Sequence, residues 1–127
     1  MRTAAVYVGL FGLMLIFLSL RVSFVRRDER IALGDGDNIE LRRRIRAHGN
    51  FIEFVPIALL LLALAEHTGM GSLYIHIFGI ILLVGRIAHA YGISQAKEPF
   101  IFRMSGTIAT QSVIAILALY CIWAGLR

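Results

Sequence analysis

The sequence predicts an all-α integral membrane protein, built as a single domain over residues 1–127 and folded as a four-transmembrane-helix up-down bundle. Three observations support this. The 127 residues are 58% hydrophobic and only 17% charged, far from the balance of a soluble domain. Charge-free runs cover residues 3–20, 67–85 and 104–126, each near the ~20 residues that a helix needs to cross a bilayer. The connections are short, which makes successive helices antiparallel neighbours.

We predict helices over residues 3–25, 39–67, 71–93 and 100–125. The first follows Met1-Arg2 and lacks a small-residue cleavage site, so it is predicted to be an anchor and not a signal peptide. Asp37 or Asn38 can cap the second helix. "HTGMGS" and "SQAKEP" form the next two connections, and Pro99 suits the first turn of the last helix.

Four glycines, Gly9 and Gly12 in the first helix and Gly79 and Gly85 in the third, are expected to allow close helix packing. The second apolar run, "FVPIALLLLALA", has only twelve residues. It can span a bilayer only if the polar turns before it also enter the membrane. The second helix is therefore the first place to look for a site.

Basic residues predict the orientation. The side that holds the first and third connections carries seven of them, whereas the other side carries Arg2 and Arg127; the seven are Arg26, Arg27, Arg30, Arg42, Arg43, Arg44 and Lys97. The positive-inside rule places the arginine-rich side in the cytoplasm and both termini outside. We expect a bacterial inner membrane protein. The formal charge of +5 is explained by this clustering, so we expect no nucleic-acid partner.

A polar stripe marks the start of the second membrane span. Arg46, Asn50 and Glu53 are spaced i, i+4 and i+7, so they share one face of a helix. An ionisable group inside a bilayer costs about 2.5–3.5 kcal/mol on insertion scales, so a partner or ligand is expected. Glu53 could pair with Arg86 inside the bundle, which would make the stripe structural. The arginines at positions 42–44 are interpreted as interfacial anchors.

Three other helices bring polar groups to the same level. Arg21 lies near the end of the first helix, Arg86 and His89 near the end of the third, and Arg103 near the start of the fourth. Each has an ordinary explanation by itself, such as snorkelling or hydrogen bonding. Together the positive charges of these groups outnumber the single negative charge of Glu53. This surplus predicts a small anionic ligand. Thr107, Thr110 and Gln111 continue the polar face beyond Arg103. They could line the cavity or hydrogen-bond between helices, and for the threonines hydrogen bonding is the favoured interpretation. No pair of histidines is placed for a metal, so we expect none.

Four segments together resemble one known family. They are the arginine that ends the first helix, "RAHGNFIEFVP" in the second, "GRIAHAYG" in the third and "FRMSGTIATQ" in the fourth. They resemble the MAPEG family, the membrane-associated proteins in eicosanoid and glutathione metabolism, and among them the microsomal glutathione transferases. The resemblance covers nearly the whole chain and implies a homotrimer that binds glutathione, as co-substrate, between adjacent protomers near the cytoplasmic face.

The resemblance also implies residue roles. Six residues fall on glutathione-contacting positions and Arg86 on a supporting one; the six are Arg21, Arg46, Asn50, Glu53, His89 and Arg103. Arginines can hold the two carboxylates of glutathione, and Glu53 can meet its ammonium group. Arg103 is the candidate catalytic residue, because an arginine beside sulfur lowers the thiol pKa and favours the nucleophilic thiolate. A lipophilic electrophile or lipid hydroperoxide would then enter from the bilayer, between the first and fourth helices, among the membrane lipids.

Departures from the family pattern leave alternatives open. Gly49 stands where some members have an arginine, and Ile93 where a tyrosine is common. Met104 and Thr107 replace a serine and a tyrosine of prostaglandin E synthase, which argues against prostaglandin chemistry. A non-catalytic member that binds lipids or thiols is therefore the main alternative. A small multidrug exporter is less favoured, because such exporters are expected to carry a membrane-embedded carboxylate in the first helix, and this one has none.

Overall fold

Four long α-helices in the order α1(Arg2–Glu29), α2(Ile39–His67), α3(Ser72–Ser94) and α4(Phe100–Gly125) form the fold. The structure is a computed structural model that describes residues 1–97 and 99–127, and these contain no β-strand. Each helix is long and apolar enough to cross a membrane. The predicted all-α, four-helix membrane bundle is thereby confirmed.

Packing places α2 next to all three other helices. The α3–α4 contact is the most extensive, and α1 packs on α2 and α3. Within the described residues α1 and α4 do not touch each other. The protomer therefore has one face made by α1, α3 and α4 and another where α2 lies between α1 and α4.

The helix ends agree closely with the prediction, with one difference. Asn38 caps α2, since its Oδ1 accepts from the Leu41 amide at 2.9 Å, as expected of this residue type. Helix α1 continues to Glu29, about one turn beyond the predicted end. The helix ends at Arg30, which adopts a left-handed conformation with φ 55°, and the Ile31 amide donates to the Arg26 carbonyl at 2.9 Å and caps the last turn. "SQAKEP" includes Glu98, which lies outside the described residues.

The first connection is held by polar contacts on the arginine-rich side. Arg26 donates to the Gly34 carbonyl at 2.7 Å, and Arg42 Nε donates to Asp35 Oδ2 at 2.5 Å. This hydrogen bond lowers the pKa of the Asp35 carboxyl from its usual value. The α1–α2 connection is therefore an ordered turn.

The opposite end is closed by Glu66. Its carboxylate accepts from the Thr3 and Ala4 amides at 3.0 and 2.8 Å, so it caps the first turn of α1, where a negative charge is favourable. Nearby, the Tyr7 ring fills the space left by Gly79, where an added Cβ would lie 2.5 Å from ring atoms. The predicted packing role of Gly79 is confirmed, whereas Gly9 and Gly12 have no neighbouring atoms within 4 Å of an added Cβ and do not serve packing within this protomer.

Glycines also allow α3 and α4 to approach closely at the arginine-rich end. A Cβ at Gly106 would lie 2.3 Å from the Gly85 carbonyl oxygen and 2.9 Å from the His89 Cβ. A Cβ at Gly92 would lie 2.9 Å from the Arg103 nitrogen. Small residues are typical of such close crossings in membranes. This crossing brings His89 and Arg103 together.

Candidate functional site

A cleft of about 460 Å³ opens at the arginine-rich end, between α2, α3 and α4. Its walls come from all three helices: Arg43, Arg46, Asn50, His89, Ile93, Arg103 and Thr107. Four of the predicted site residues, Arg46, Asn50, His89 and Arg103, therefore lie together. Three of the described lining side chains are arginines, so the cleft suits an anion.

Helix α2 contributes two of the three residues of the predicted stripe, Arg46 and Asn50, to the cleft, and Arg43 lines it with them. Arg43 was predicted to be only an interfacial anchor. Its spacing of i−3 from Arg46 and i−7 from Asn50 places it on the same helix face, and this spacing was the signal that could have identified it. Its Nη2 also donates to the Ala96 carbonyl at 3.1 Å, which ties the cleft wall to the third connection.

Arg86 lies behind the cleft and orients Asn50. Its side chain is buried, with the residue only 2% exposed, and its Nη1 donates to Asn50 Oδ1 at 2.7 Å. Because the amide oxygen of Asn50 accepts this bond, its NH2 group is the part able to donate to a ligand. Nε and Nη2 of Arg86 are buried and have no hydrogen-bond partner among the described residues. Arg86 thus holds the Asn50 side chain from behind the cleft.

Two predicted residues lie outside this cleft in the protomer. Glu53, the third residue of the predicted stripe, is exposed on the protomer surface. The described residues form no ion pair between Glu53 and Arg86, so the alternative structural pair is absent there. Arg21 lies elsewhere, with its Nη1 donating to Ser94 Oγ at 3.1 Å. Neither Glu53 nor Arg21 lines the 460 Å³ cleft of its own protomer.

Helices α3 and α4 complete the cleft. His89 is buried, at 4% exposure, against the Gly106 backbone. Thr107 lines the cleft, and its hydroxyl donates to the Arg103 carbonyl at 3.0 Å. Thr110 instead donates to the Gly106 carbonyl at 2.8 Å, so this hydrogen bond lies within α4 and not between helices. The cleft wall therefore presents guanidinium, amide, imidazole and hydroxyl groups to one small space.

The fold and the cleft define an integral membrane protein of four spanning helices with an arginine-lined cleft at one end. Sequence comparison places it more narrowly. A sequence model of the MAPEG family matches residues 4–123, and the chain belongs to that family. The chain is 38% identical over 120 residues to the inner membrane protein YecN of Escherichia coli strain K12, an alignment that covers 94% of this chain and 90% of the relative. YecN of Escherichia coli O6:H1 matches with the same identity and coverage.

Proposed function

We propose that this protein binds glutathione in the α2–α3–α4 cleft and acts as a glutathione transferase or peroxidase on lipophilic electrophiles or lipid hydroperoxides. The observation that supports this best is the convergence of Arg46, Asn50, His89 and Arg103 on one cleft. Glutathione offers carboxylates to arginines and amide carbonyls to the NH2 group of Asn50. These are the interactions that the cleft residues are equipped to make.

Arg103 is proposed to activate the thiol. A guanidinium beside sulfur favours the thiolate, which is the nucleophilic form. In the transferase reaction the thiolate would attack an electrophilic carbon to form a thioether, while a leaving group departs with its bonding electrons or the displaced electron pair takes up a proton. In the peroxidase reaction it would attack a peroxide oxygen and break the O–O bond, which gives the alcohol after protonation and a glutathione sulfenic acid; a second glutathione then converts the sulfenic acid to the disulfide and water. His89, buried against α4, is proposed to hydrogen-bond glutathione from the cleft wall.

Assembly as a homotrimer is part of the proposal, and Glu53 supports it. A carboxylate exposed within an apolar span is costly toward lipid. Glu53 is exposed on the protomer surface, as are the aliphatic side chains Ile52 and Ile57 of the same helix. A neighbouring protomer would cover this face and let Glu53 meet the ammonium group of a ligand shared between subunits. Native mass spectrometry of the purified protein should then give a trimer; single protomers would contradict a shared site.

Location and access follow from the same geometry. We propose that the arginine-rich end faces the cytoplasm of a bacterial inner membrane, with both termini outside, by the positive-inside rule and the similarity to a protein named as an inner membrane protein. Since α1 and α4 do not touch within the described protomer, a lipophilic substrate would enter between α1 of one protomer and α4 of the next.

Ultraviolet absorbance of the glutathione thiolate tests the catalytic step. Titration of the purified trimer with glutathione should produce thiolate absorbance, and Arg103→Ala should abolish most of it with a smaller loss of binding. Glu53→Gln keeps the size of the side chain and should weaken glutathione binding by about 1.5–3 kcal/mol in calorimetry. Arg27→Ala is the matched control, because Arg27 is on the same side but pairs with Asp28 in the open. Wild-type affinity and thiolate yield in both site variants would refute the proposal.

A second candidate function, non-catalytic binding of a thiol or lipid, is favoured by one feature of the cleft. Ile93 and Thr107 line it where the resemblance would place tyrosines, and the Thr107 hydroxyl is bonded to the Arg103 carbonyl. The two functions give different results in the titration. A non-catalytic member would bind glutathione without thiolate absorbance.

A further inference from the structure

An apolar groove lies between α1 and α3, on a different face of α3 from the cleft. Its volume is about 600 Å³. Most of its walls are hydrocarbon side chains that end in a polar rim; the lining residues that matter here are Leu13, Phe17, Arg21, Ile87, Tyr91 and Ser94. Phe17, Ile87 and Tyr91 are exposed on the protomer surface. The groove is therefore open at the protomer surface.

A small basic pocket of about 240 Å³ continues the groove at the arginine-rich end. Arg21 and Ser94 line both. Arg43, Arg44 and Glu40 complete the charged part of the pocket, so its described lining has three arginines and one carboxylate. Arg44 already pairs with Glu40, which leaves a surplus of positive charge.

The arginines are held in place by the protein. Arg21 Nη1 donates to Ser94 Oγ at 3.1 Å, and Arg44 Nη1 donates to the Arg21 carbonyl at 3.0 Å. Arg43 Nη1 is buried and has no hydrogen-bond partner among the described residues. Guanidinium groups oriented in this way match the oxygens of a phosphate group.

The dimensions match one lipid leaflet. From Arg21 to Leu13 the groove follows eight residues of α1, about 12 Å at 1.5 Å per residue. Half of the hydrocarbon core of a bilayer is about 15 Å. A lipid whose phosphate lies at Arg21 would therefore have an acyl chain reaching along the groove to Leu13.

We propose that the groove and the basic pocket together bind one anionic phospholipid, with its phosphate on Arg21 and Arg44 and one acyl chain between α1 and α3. A net negative headgroup is favoured because the positive surplus of the pocket disfavours the extra cation of a zwitterionic lipid. This proposal does not depend on glutathione binding. The cleft and the basic pocket share Arg43, and the resemblance also assigns Arg21 to glutathione. The experiment below leaves both arginines unchanged.

Native mass spectrometry of the delipidated protein tests this proposal. It is titrated with dioleoyl phosphatidylglycerol or, as the zwitterionic comparison, dioleoyl phosphatidylcholine. The wild type should bind phosphatidylglycerol more tightly. Arg44→Gln should weaken phosphatidylglycerol binding by about fivefold, the scale of one basic residue at a membrane surface. Arg27→Gln, on the same side but outside both cavities, should have no effect.

A pair of tryptophan variants tests the part of the proposal that places an acyl chain in the groove. Ile87→Trp should obstruct the groove and reduce phosphatidylglycerol binding, whereas Ile80→Trp, which is similarly exposed on the same helix but outside the groove, should not. This pair leaves every arginine intact, so it decides the question even if an arginine variant fails to fold. Equal affinity for both lipids, or equal effects of the two tryptophans, would overturn the proposal. Binding of oleate in place of phosphatidylglycerol would identify a fatty-acid site and likewise refute it.

Discussion

The side chains of Arg86 and Asn50 should be energetically coupled through their hydrogen bond, and a double-mutant cycle can measure this coupling energy. Arg86 is 2% exposed, and the 2.7 Å bond to Asn50 Oδ1 is the hydrogen bond that its side chain makes among the described residues. Asn50→Leu removes the acceptor and leaves the guanidinium buried. Arg86→Met removes the charge and leaves Asn50 at the wall of the cleft.

Two different values could apply to the free energy that this hydrogen bond contributes. Hydrogen bonds between neutral side chains of membrane helices average about 0.6 kcal/mol, whereas bonds to charged groups contribute about 1.5–3 kcal/mol. The larger value applies here, because the Arg86 side chain is too deeply buried to reach water and its other nitrogens lack described partners. Asn50→Leu should therefore destabilise the protein by about 1.5–3 kcal/mol. In the Arg86→Met background the same change should cost less than about 0.5 kcal/mol, since no charge is left unpaired.

The assay is equilibrium unfolding in mixed micelles with increasing dodecyl sulfate, followed by the fluorescence of Trp123, the single tryptophan. All four proteins are compared at one protein concentration, because assembly makes apparent stability concentration-dependent. If the two single changes add to within about 0.5 kcal/mol, the 2.7 Å contact is not energetically coupled and the assigned role of Arg86 is wrong.

Two further predictions concern packing and orientation. Gly106→Ala would place a Cβ 2.3 Å from the Gly85 carbonyl oxygen and should destabilise the same unfolding transition by about 1–3 kcal/mol, whereas Gly9→Ala, which has open space around it, should be neutral or slightly stabilising; equal effects would contradict the close α3–α4 crossing. An alkaline phosphatase fused after Arg127 should be active outside the cytoplasm, by the distribution of basic residues, and activity only of a cytoplasmic reporter at that position would reverse the proposed orientation.

The helices could be predicted from sequence because each leaves a long apolar run, which has few alternatives in a membrane protein. The end of α1 was less predictable. Its last turn is charged and resembles a loop in composition, yet a charged segment outside the bilayer can remain helical. The helix ends at Arg30 in a left-handed conformation, and arginine is not a residue type from which this conformation can be predicted.

The sequence predicted the depth of the site residues along the bundle better than the side of each helix on which they lie. Apolar runs set the depth of each polar group, and spacing within α2 set a shared face for Arg46 and Asn50. The rotation of one helix relative to another depends on packing, here on the close approach at Gly92 and Gly106. The packing role of Gly106 was not predicted, because a single small residue in an apolar helix has no distinctive sequence pattern. Arg43 was missed for a related reason, since neighbouring arginines in a run point in different directions and composition does not show which one faces inward.

The positions of Arg21 and Glu53 show which part of the candidate site a single protomer does not explain. Both lie at the arginine-rich level of the bundle, yet the cleft of their own protomer contains neither. Glu53 is exposed on the surface of α2, whereas Arg21 borders the groove between α1 and α3. In the proposed homotrimer, a neighbouring protomer that covers Glu53 would bring this carboxylate to a ligand shared between the subunits. If the proposal is right, glutathione affinity should be more sensitive to Glu53→Gln than to Arg21→Gln.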